Sequence, residues 1–131
     1  MDKEFELRVC KGFFDKNKWE RLYYELSSDK KRENFFRKIS HTAEEYLGCV
    51  ISESFKMPPD IDRIEGFLKC KECYFIVQED CNGKFLDTRE ALSELYRLGT
   101  PYMAVTPDCD RAYLETEYNF SEHKAYFLKR K

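Results

Sequence analysis

The chain has 131 residues, the length of one domain with a single core. Apolar residues make up 42% and charged residues 37%, a composition that excludes a disordered chain. The 23 Lys and Arg against 25 Asp and Glu give a formal charge of −2, which excludes the strongly basic balance of a nucleic-acid coat. Without an apolar run of about 18 residues or a signal-peptide pattern, we expect a cytoplasmic protein with no membrane segment and reduced cysteines.

Periodicity in the first part of the chain predicts a strand and two helices. Residues 4–10 alternate between apolar and polar side chains, which is typical of a half-buried strand. Apolar residues at helical spacing predict an amphipathic helix over 18–27 and a second over roughly 30–47, capped by Ser28 or Asp29. The segment 49–56 fits either a strand or more helix, and its β-branched residues favour the strand.

The middle of the chain predicts a short helix followed by a hairpin. Asp60 follows two prolines and can cap a short helix. Residues 73–79 are apolar on both faces, which predicts a strand at the centre of a sheet. Asn82-Gly83 then favours a tight turn into a strand at 84–86.

The last part predicts a helix and three strands. Asp87 and Glu90 match a capping box, and Gly99 stops the helix that they open, at about 88–98. Three strand-like runs follow, at 102–106, 111–117 and 123–129. We therefore predict a single α+β domain over 1–131, with N-terminal helices packed on a mainly antiparallel C-terminal sheet and one crossing helix.

Cysteine spacing raises the question of a zinc site. Cys70 and Cys73 have the spacing of a zinc knuckle, which Cys81 and Cys109 could complete. Cys73 and Cys81 stand at opposite ends of a predicted strand, however, and at about 3.3 Å per residue they are too far apart for one ion. We predict no metal and no cofactor.

Catalytic motifs are equally scarce. The two histidines, His41 and His123, stand in no recognisable motif, and no glycine-rich phosphate loop or nucleophile elbow occurs. The pattern predicts a protein that is not an enzyme. A cysteine nucleophile activated by His41 or His123 is the second alternative, because sequence alone does not place these groups in space.

Charge is unevenly distributed along the chain. Residues 15–38 hold eight Lys and Arg against five acids, and the C-terminus adds three more bases. Residues 108–122 hold five acids and one base. We expect a molecule with two electrically different sides.

The acidic segment also contains aromatic residues. Strand alternation along 111–117 turns Ala112 and Leu114 into the core and exposes the residues between them. Exposed tyrosines beside carboxylates suit a partner protein with a basic surface. The predicted partner-binding residues are Tyr113, Glu115, Glu117, Tyr118 and Glu122.

These features favour a small cytoplasmic protein that binds and neutralises or regulates another protein. Its general profile resembles that of stoichiometric inhibitors, including bacterial immunity proteins, an analogy of fold class and composition only. No family motif is recognised. The first alternative is a nucleic-acid-binding regulator whose second helix contacts phosphates. The residues for this alternative are Lys30, Lys31, Arg32, Arg37 and Lys38.

Overall fold

A computed structural model describes residues 2–78, 83–118 and 122–131. The helices of the described chain are α1 (Lys3–Phe13), α2 (Trp19–Ser27), α3 (Arg32–His41), α4 (Ala43–Tyr46), α5 (Ile61–Leu68) and α6 (Thr88–Leu95). Its strands are β1 (Val50–Phe55), β2 (Glu72–Val77), β3 (Lys84–Asp87), β4 (Tyr102–Val105), β5 (Arg111–Glu115) and β6 (Ala125–Lys129). The strands form one antiparallel sheet in the order β1-β6-β5-β4-β2-β3, which confirms the predicted α+β class.

Helices cover both faces of this sheet. The helices α1 to α3 and the start of α4 pack on one face, where Met103, Leu114 and Leu128 are buried with them. The helices α5 and α6 pack on the other face, over Tyr113 and Phe127. Successive residues of the inner strands therefore point into two different cores, because side chains alternate between the faces of a sheet.

The predicted strand at 4–10 is wrong, since this segment belongs to α1. Phe5, Val9 and Phe13 are buried at helical spacing on the face that meets the sheet. Asp2 caps the helix by accepting a hydrogen bond from the Phe5 amide at 3.0 Å. Apolar residues at 5 and 9 satisfy both a strand and a helix pattern, and the capping aspartate distinguishes the two.

The predicted helix at 30–47 is broken in two. A non-helical ψ of 42° at Thr42 separates α3 from α4. Neither Ser28 nor Asp29 caps α3 with its side chain; the Arg32 amide instead donates to the main-chain oxygen of Ser28 at 2.9 Å. The predicted cap is therefore wrong, although the buried stripe of the helix is as expected.

Several other predictions are confirmed. Residues 50–55 form an edge strand, and the last three predicted strands are present as β4, β5 and β6. Asp60 and Asp87 each accept a hydrogen bond at 2.9 Å from the amide three residues further on, as helix caps do. The helix that Asp87 caps ends at Leu95, earlier than the predicted 98. Within the described chain, no helix combines the length and the apolar character needed to cross a membrane.

The hairpin prediction is only partly correct. The strands β2 and β3 pair antiparallel, but Lys84 lies opposite Phe75, a different register from that of a two-residue turn at Asn82-Gly83. Asn82 itself lies outside the described residues. The strand β2 is mostly buried, yet it lies one strand from the edge of the sheet and not at its centre.

A buried polar contact attaches α1 to this edge of the sheet. The Tyr74 hydroxyl donates to Glu6 Oε2 at 2.6 Å and accepts from the Asp2 amide at 3.0 Å. Burial raises the pKa of the Glu6 carboxyl above its ordinary value. A Cβ on Gly83 would lie 2.5 Å from the Tyr74 oxygen and 2.6 Å from Glu6 Oε2, so only glycine fits there.

Two glycine substitutions test this packing. We expect Gly83→Ala to lower the free energy of unfolding by about 1–3 kcal/mol, because the new methyl group has no room. Gly66→Ala is the matched control: Gly66 lies in α5, and a Cβ added there would have no neighbouring atom within 4 Å, so alanine should stabilise the helix by up to about 1 kcal/mol. Urea unfolding measures both, and equal effects of the two changes would contradict the close contact.

Candidate functional site

The structure divides the predicted partner-binding residues between the interior and the surface. Glu117, Tyr118 and Glu122 are exposed, as predicted. Tyr113 and Glu115 are completely buried, so their predicted exposure is wrong. The physical reason is the second helical layer, α5 and α6, which covers the face of β5 that the sequence pattern assigned to solvent.

Glu115 is the centre of a buried polar network. Its Oε1 accepts hydrogen bonds from the hydroxyls of Tyr102, at 3.0 Å, and Tyr113, at 2.7 Å. Its Oε2 accepts from the Arg97 amide at 2.8 Å. Burial raises the pKa of the Glu115 carboxyl, and the hydrogen bonds from Tyr113, Arg97 and Tyr102 oppose that shift. The network thus fixes the segment after α6 onto the end of β5.

His123 lies beside the same carboxylate. Its Nε2 is 3.2 Å from Glu115 Oε2, although the two atoms are not aligned for a hydrogen bond. Burial is the main cause that lowers the pKa of this imidazole, and the nearby charge of Arg97 lowers it further. The Tyr118 ring meets the His123 ring edge-on, with centroids 5.8 Å apart. His123 therefore connects the buried network to an exposed aromatic side chain.

Three of the seven exposed large apolar side chains of the described chain lie directly outside this network. The Tyr118 amide donates to the Gly99 oxygen at 3.1 Å, which fastens Tyr118 to the loop that holds Leu98. The His123 amide donates to the Lys56 oxygen at 3.1 Å, which adds the segment that holds Met57. We define the sheet-end surface as these exposed apolar residues together with the neighbouring acids. Its members are Met57, Leu98, Glu117, Tyr118 and Glu122.

The predicted helix over 88–98 includes Leu98, but in the structure Leu98 lies beyond the end of α6 and at the surface. It is 65% exposed, the largest exposed fraction of any large apolar residue in the described chain. Leu98 stands three residues after Leu95 and continues its face at helical spacing. The helix ends at Leu95, however, and Arg97 has a positive φ of 57°, so the chain turns away before it reaches Leu98. Met57 gave no comparable signal, since it precedes two prolines in a loop.

Each of two acids of the sheet-end surface lies close to a basic side chain. Glu117 Oε2 lies 3.1 Å from His41 Nε2, and both side chains are 48% exposed. Glu122 Oε2 lies 3.8 Å from Lys124 Nζ. These are exposed pairs that contribute little stability, so both carboxylates can exchange their neighbours for a partner's charges.

The basic residues of the alternative hypothesis form a smaller cationic surface than predicted. Arg32 is buried and donates to the Leu26 oxygen at 2.8 Å, so the prediction that it faces phosphates is wrong. Lys38 Nζ contacts the buried Glu25 carboxylate at 2.8 Å. Lys30, Lys31 and Arg37 remain accessible, and Arg37 bonds to Asn34.

The thiols are poorly suited to nucleophilic chemistry. The cysteines within the described residues are free: Cys10, Cys49, Cys70, Cys73 and Cys109. Burial raises the pKa of every one of them, and to about 11 for Cys49 and Cys73, which disfavours the reactive thiolate. Cys81 lies outside the described residues, within which no group of three or more His, Cys, Asp or Glu side chains could hold a metal ion.

Comparison of the chain with protein-family models, with curated proteins and with solved structures finds no match.

The raised pKa of Glu115 gives a pH test of the network. A carboxyl whose pKa is higher in the folded than in the unfolded protein stabilises the fold below its ordinary value of 4.5, and this stability is lost as the pH rises through the folded pKa. Glu115→Gln cannot ionise. We therefore expect the unfolding free energy of the protein that retains Glu115 to fall relative to that of Glu115→Gln as the pH rises from 4.5 towards neutrality.

Urea unfolding of both proteins across this range measures the difference. The test concerns how the difference in unfolding free energy changes with pH. A variant that is less stable at every pH therefore does not affect the result. Both proteins also carry His123→Gln, because His123 lies 3.2 Å from Glu115 Oε2 and its own titration would otherwise differ between them. A difference that rises with pH would mean that the hydrogen bonds from Tyr102, Tyr113 and Arg97 outweigh the burial of the charge.

Proposed function

We propose that this protein binds another protein through the sheet-end surface, and that it neutralises or regulates that partner by occupying its surface. The observation that supports this most directly is the exposure of Leu98 and Tyr118 on two segments that a hydrogen bond from the Tyr118 amide to the Gly99 oxygen joins. Neighbouring exposed apolar side chains with a polar rim are typical of protein interaction sites.

Contacts with buried residues hold the segments that present these two side chains, as expected for residues that anchor a partner. The Arg97 amide is held by Glu115, and the Tyr118 ring contacts the buried His123 ring. A side chain that is already held in place loses less conformational entropy when it binds. Tyrosine is also enriched among the residues that dominate binding energy, because it buries a large area with few rotatable bonds.

The acids at the rim indicate the chemistry of the partner. The side chains of Glu117 and Glu122 are exposed, and so are the basic side chains of His41 and Lys124 beside them. A partner with an apolar pocket bordered by Lys or Arg would complement this arrangement. Rim charges of this kind mainly increase the rate of association and select the partner, while the apolar anchors provide most of the affinity.

Site-specific photo-crosslinking can find the partner and test the surface together. A photoreactive phenylalanine analogue is placed at Tyr118, or at Tyr24 as the matched control, and irradiated in the cells that make the protein. Tyr24 is 50% exposed, almost as much as Tyr118, but lies on α2. We expect one dominant protein adduct from position 118 and not from 24, and the reverse pattern would contradict the proposal.

Substitutions then measure how much each apolar anchor contributes to binding of the captured partner. We expect Leu98→Ala and Tyr118→Ala each to weaken binding by about 2 kcal/mol, roughly thirtyfold, and Tyr24→Ala to leave it unchanged. Glu117→Lys and Glu122→Lys should slow association most at low ionic strength. Surface plasmon resonance measures both the dissociation constant and the association rate constant. Urea unfolding checks that each variant is folded. Unchanged affinity in a folded Leu98→Ala, Tyr118→Ala double variant would refute this surface.

A further inference from the structure

A second surface feature lies at the other end of β5 and β6, away from the sheet-end surface. It is an open cavity of about 380 Å³, within the size range of small-molecule sites. We call it the basic cleft. Its lining residues are Arg8, Lys11, Gly12, Cys109, Arg130 and Lys131.

Main-chain hydrogen bonds hold the two basic segments of the cleft together. The Lys131 amide donates to the Gly12 oxygen at 3.1 Å, which fastens the chain after β6 to α1. The Arg130 amide donates to the Asp110 oxygen at 2.9 Å. A Cβ on Gly12 would lie 3.0 Å from Arg130 Cγ, so the glycine leaves room for the arginine stem. The convergence of cations is thus built into the fold.

Among the described side chains, one carboxylate is paired with these four cations. Arg130 pairs with Asp110 at 2.8 Å. Arg8 donates only to a main-chain oxygen, that of Asp108, at 3.3 Å, and Lys11 Nζ lies 5.3 Å from the centre of the Trp19 ring. Within the described residues, no carboxylate is paired with Arg8, Lys11 or Lys131. The Asp108 carboxylate instead accepts hydrogen bonds inside its own turn.

The helix dipole does not account for this cluster. The C-terminus of α1 has a partial charge of about −0.5, which favours a nearby cation but is small against four of them. Its carbonyl groups are also occupied, since the Gly12 oxygen accepts from Lys131 and the Phe13 oxygen from the Gly48 amide at 3.0 Å. Like charges that line one concave surface repel each other and attract an anion.

We infer that the basic cleft binds a small molecule with two or more phosphate groups. Arginine recognises phosphate oxygens with paired N–H groups and lysine adds point charges, so two arginines and two lysines match a ligand with several anionic groups. The exposed acids Asp108 and Asp110 border the cleft and oppose a long polyanion that extends beyond it. This inference is independent of the proposed protein-binding function.

The single tryptophan of the chain provides the readout, because Lys11 lies over its ring. A ligand that attracts the Lys11 ammonium should change the fluorescence of Trp19. The experiment titrates the full chain with inorganic pyrophosphate and with tripolyphosphate at low ionic strength, by fluorescence and by calorimetry. We expect saturable binding that is tighter for tripolyphosphate and that weakens as salt is added.

Four variants assign the binding to the cleft. Arg8→Gln and Lys11→Gln should each weaken binding about tenfold or more, since each removes a charge-assisted contact. Gly12→Ala keeps every charge and moves the Arg130 stem by only a few tenths of an ångström, so it should weaken binding less than either loss of charge. Lys30→Gln is the matched control, an exposed lysine at the start of the α3 region that should bind like the unmodified protein.

Three results would overturn the inference. The first is no heat and no fluorescence change with either phosphate compound. The second is equal weakening by Lys30→Gln and Lys11→Gln, which would indicate unspecific attraction to a charged surface. The third is binding of a long DNA duplex without binding of tripolyphosphate, which would favour a nucleic-acid ligand instead.

Discussion

The covering of one antiparallel sheet by helices on both faces is the constraint on which the rest of this structure depends. Leu114 and Tyr113 are neighbours in β5, yet they are buried in different cores. A strand buried on both faces leaves no water for a polar side chain, so each such group needs a partner inside the protein. Glu115 meets this requirement with two tyrosine hydroxyls and a main-chain amide.

That buried carboxylate also determines what the surface above it can do. Glu115 holds the Arg97 amide. Gly99, two residues after Arg97, accepts a hydrogen bond from the Tyr118 amide. Leu98 is therefore exposed on a supported loop and not on a freely moving one. Burying the Glu115 carboxylate costs free energy, as its raised pKa indicates. The same carboxylate holds the Arg97 amide and so orders the loop that presents Leu98.

Sequence periodicity predicted the fold class and most elements because buried stripes and capping aspartates are local signals. It failed at α1, where the apolar residues at 5 and 9 fit both the period of a strand and that of a helix. It also failed at Tyr113 and Glu115, whose polar groups predict exposure although they are hydrogen-bonded to each other in the interior. The exposed half of the candidate site, Glu117 and Tyr118, was predictable. The basic cleft was not, since Arg8 and Arg130 lie at opposite ends of the chain and meet only through the sheet.

The sheet-end surface and the basic cleft are separated by the length of β5, five residues or about 16 Å. The Debye length at physiological ionic strength is about 8 Å, so exposed charges at one end are largely screened from those at the other. Coupling between the two surfaces would need a movement of β5 or β6, both of which are interior strands held on each side by a neighbour. The same packing thus opposes a movement that would couple the two proposed sites.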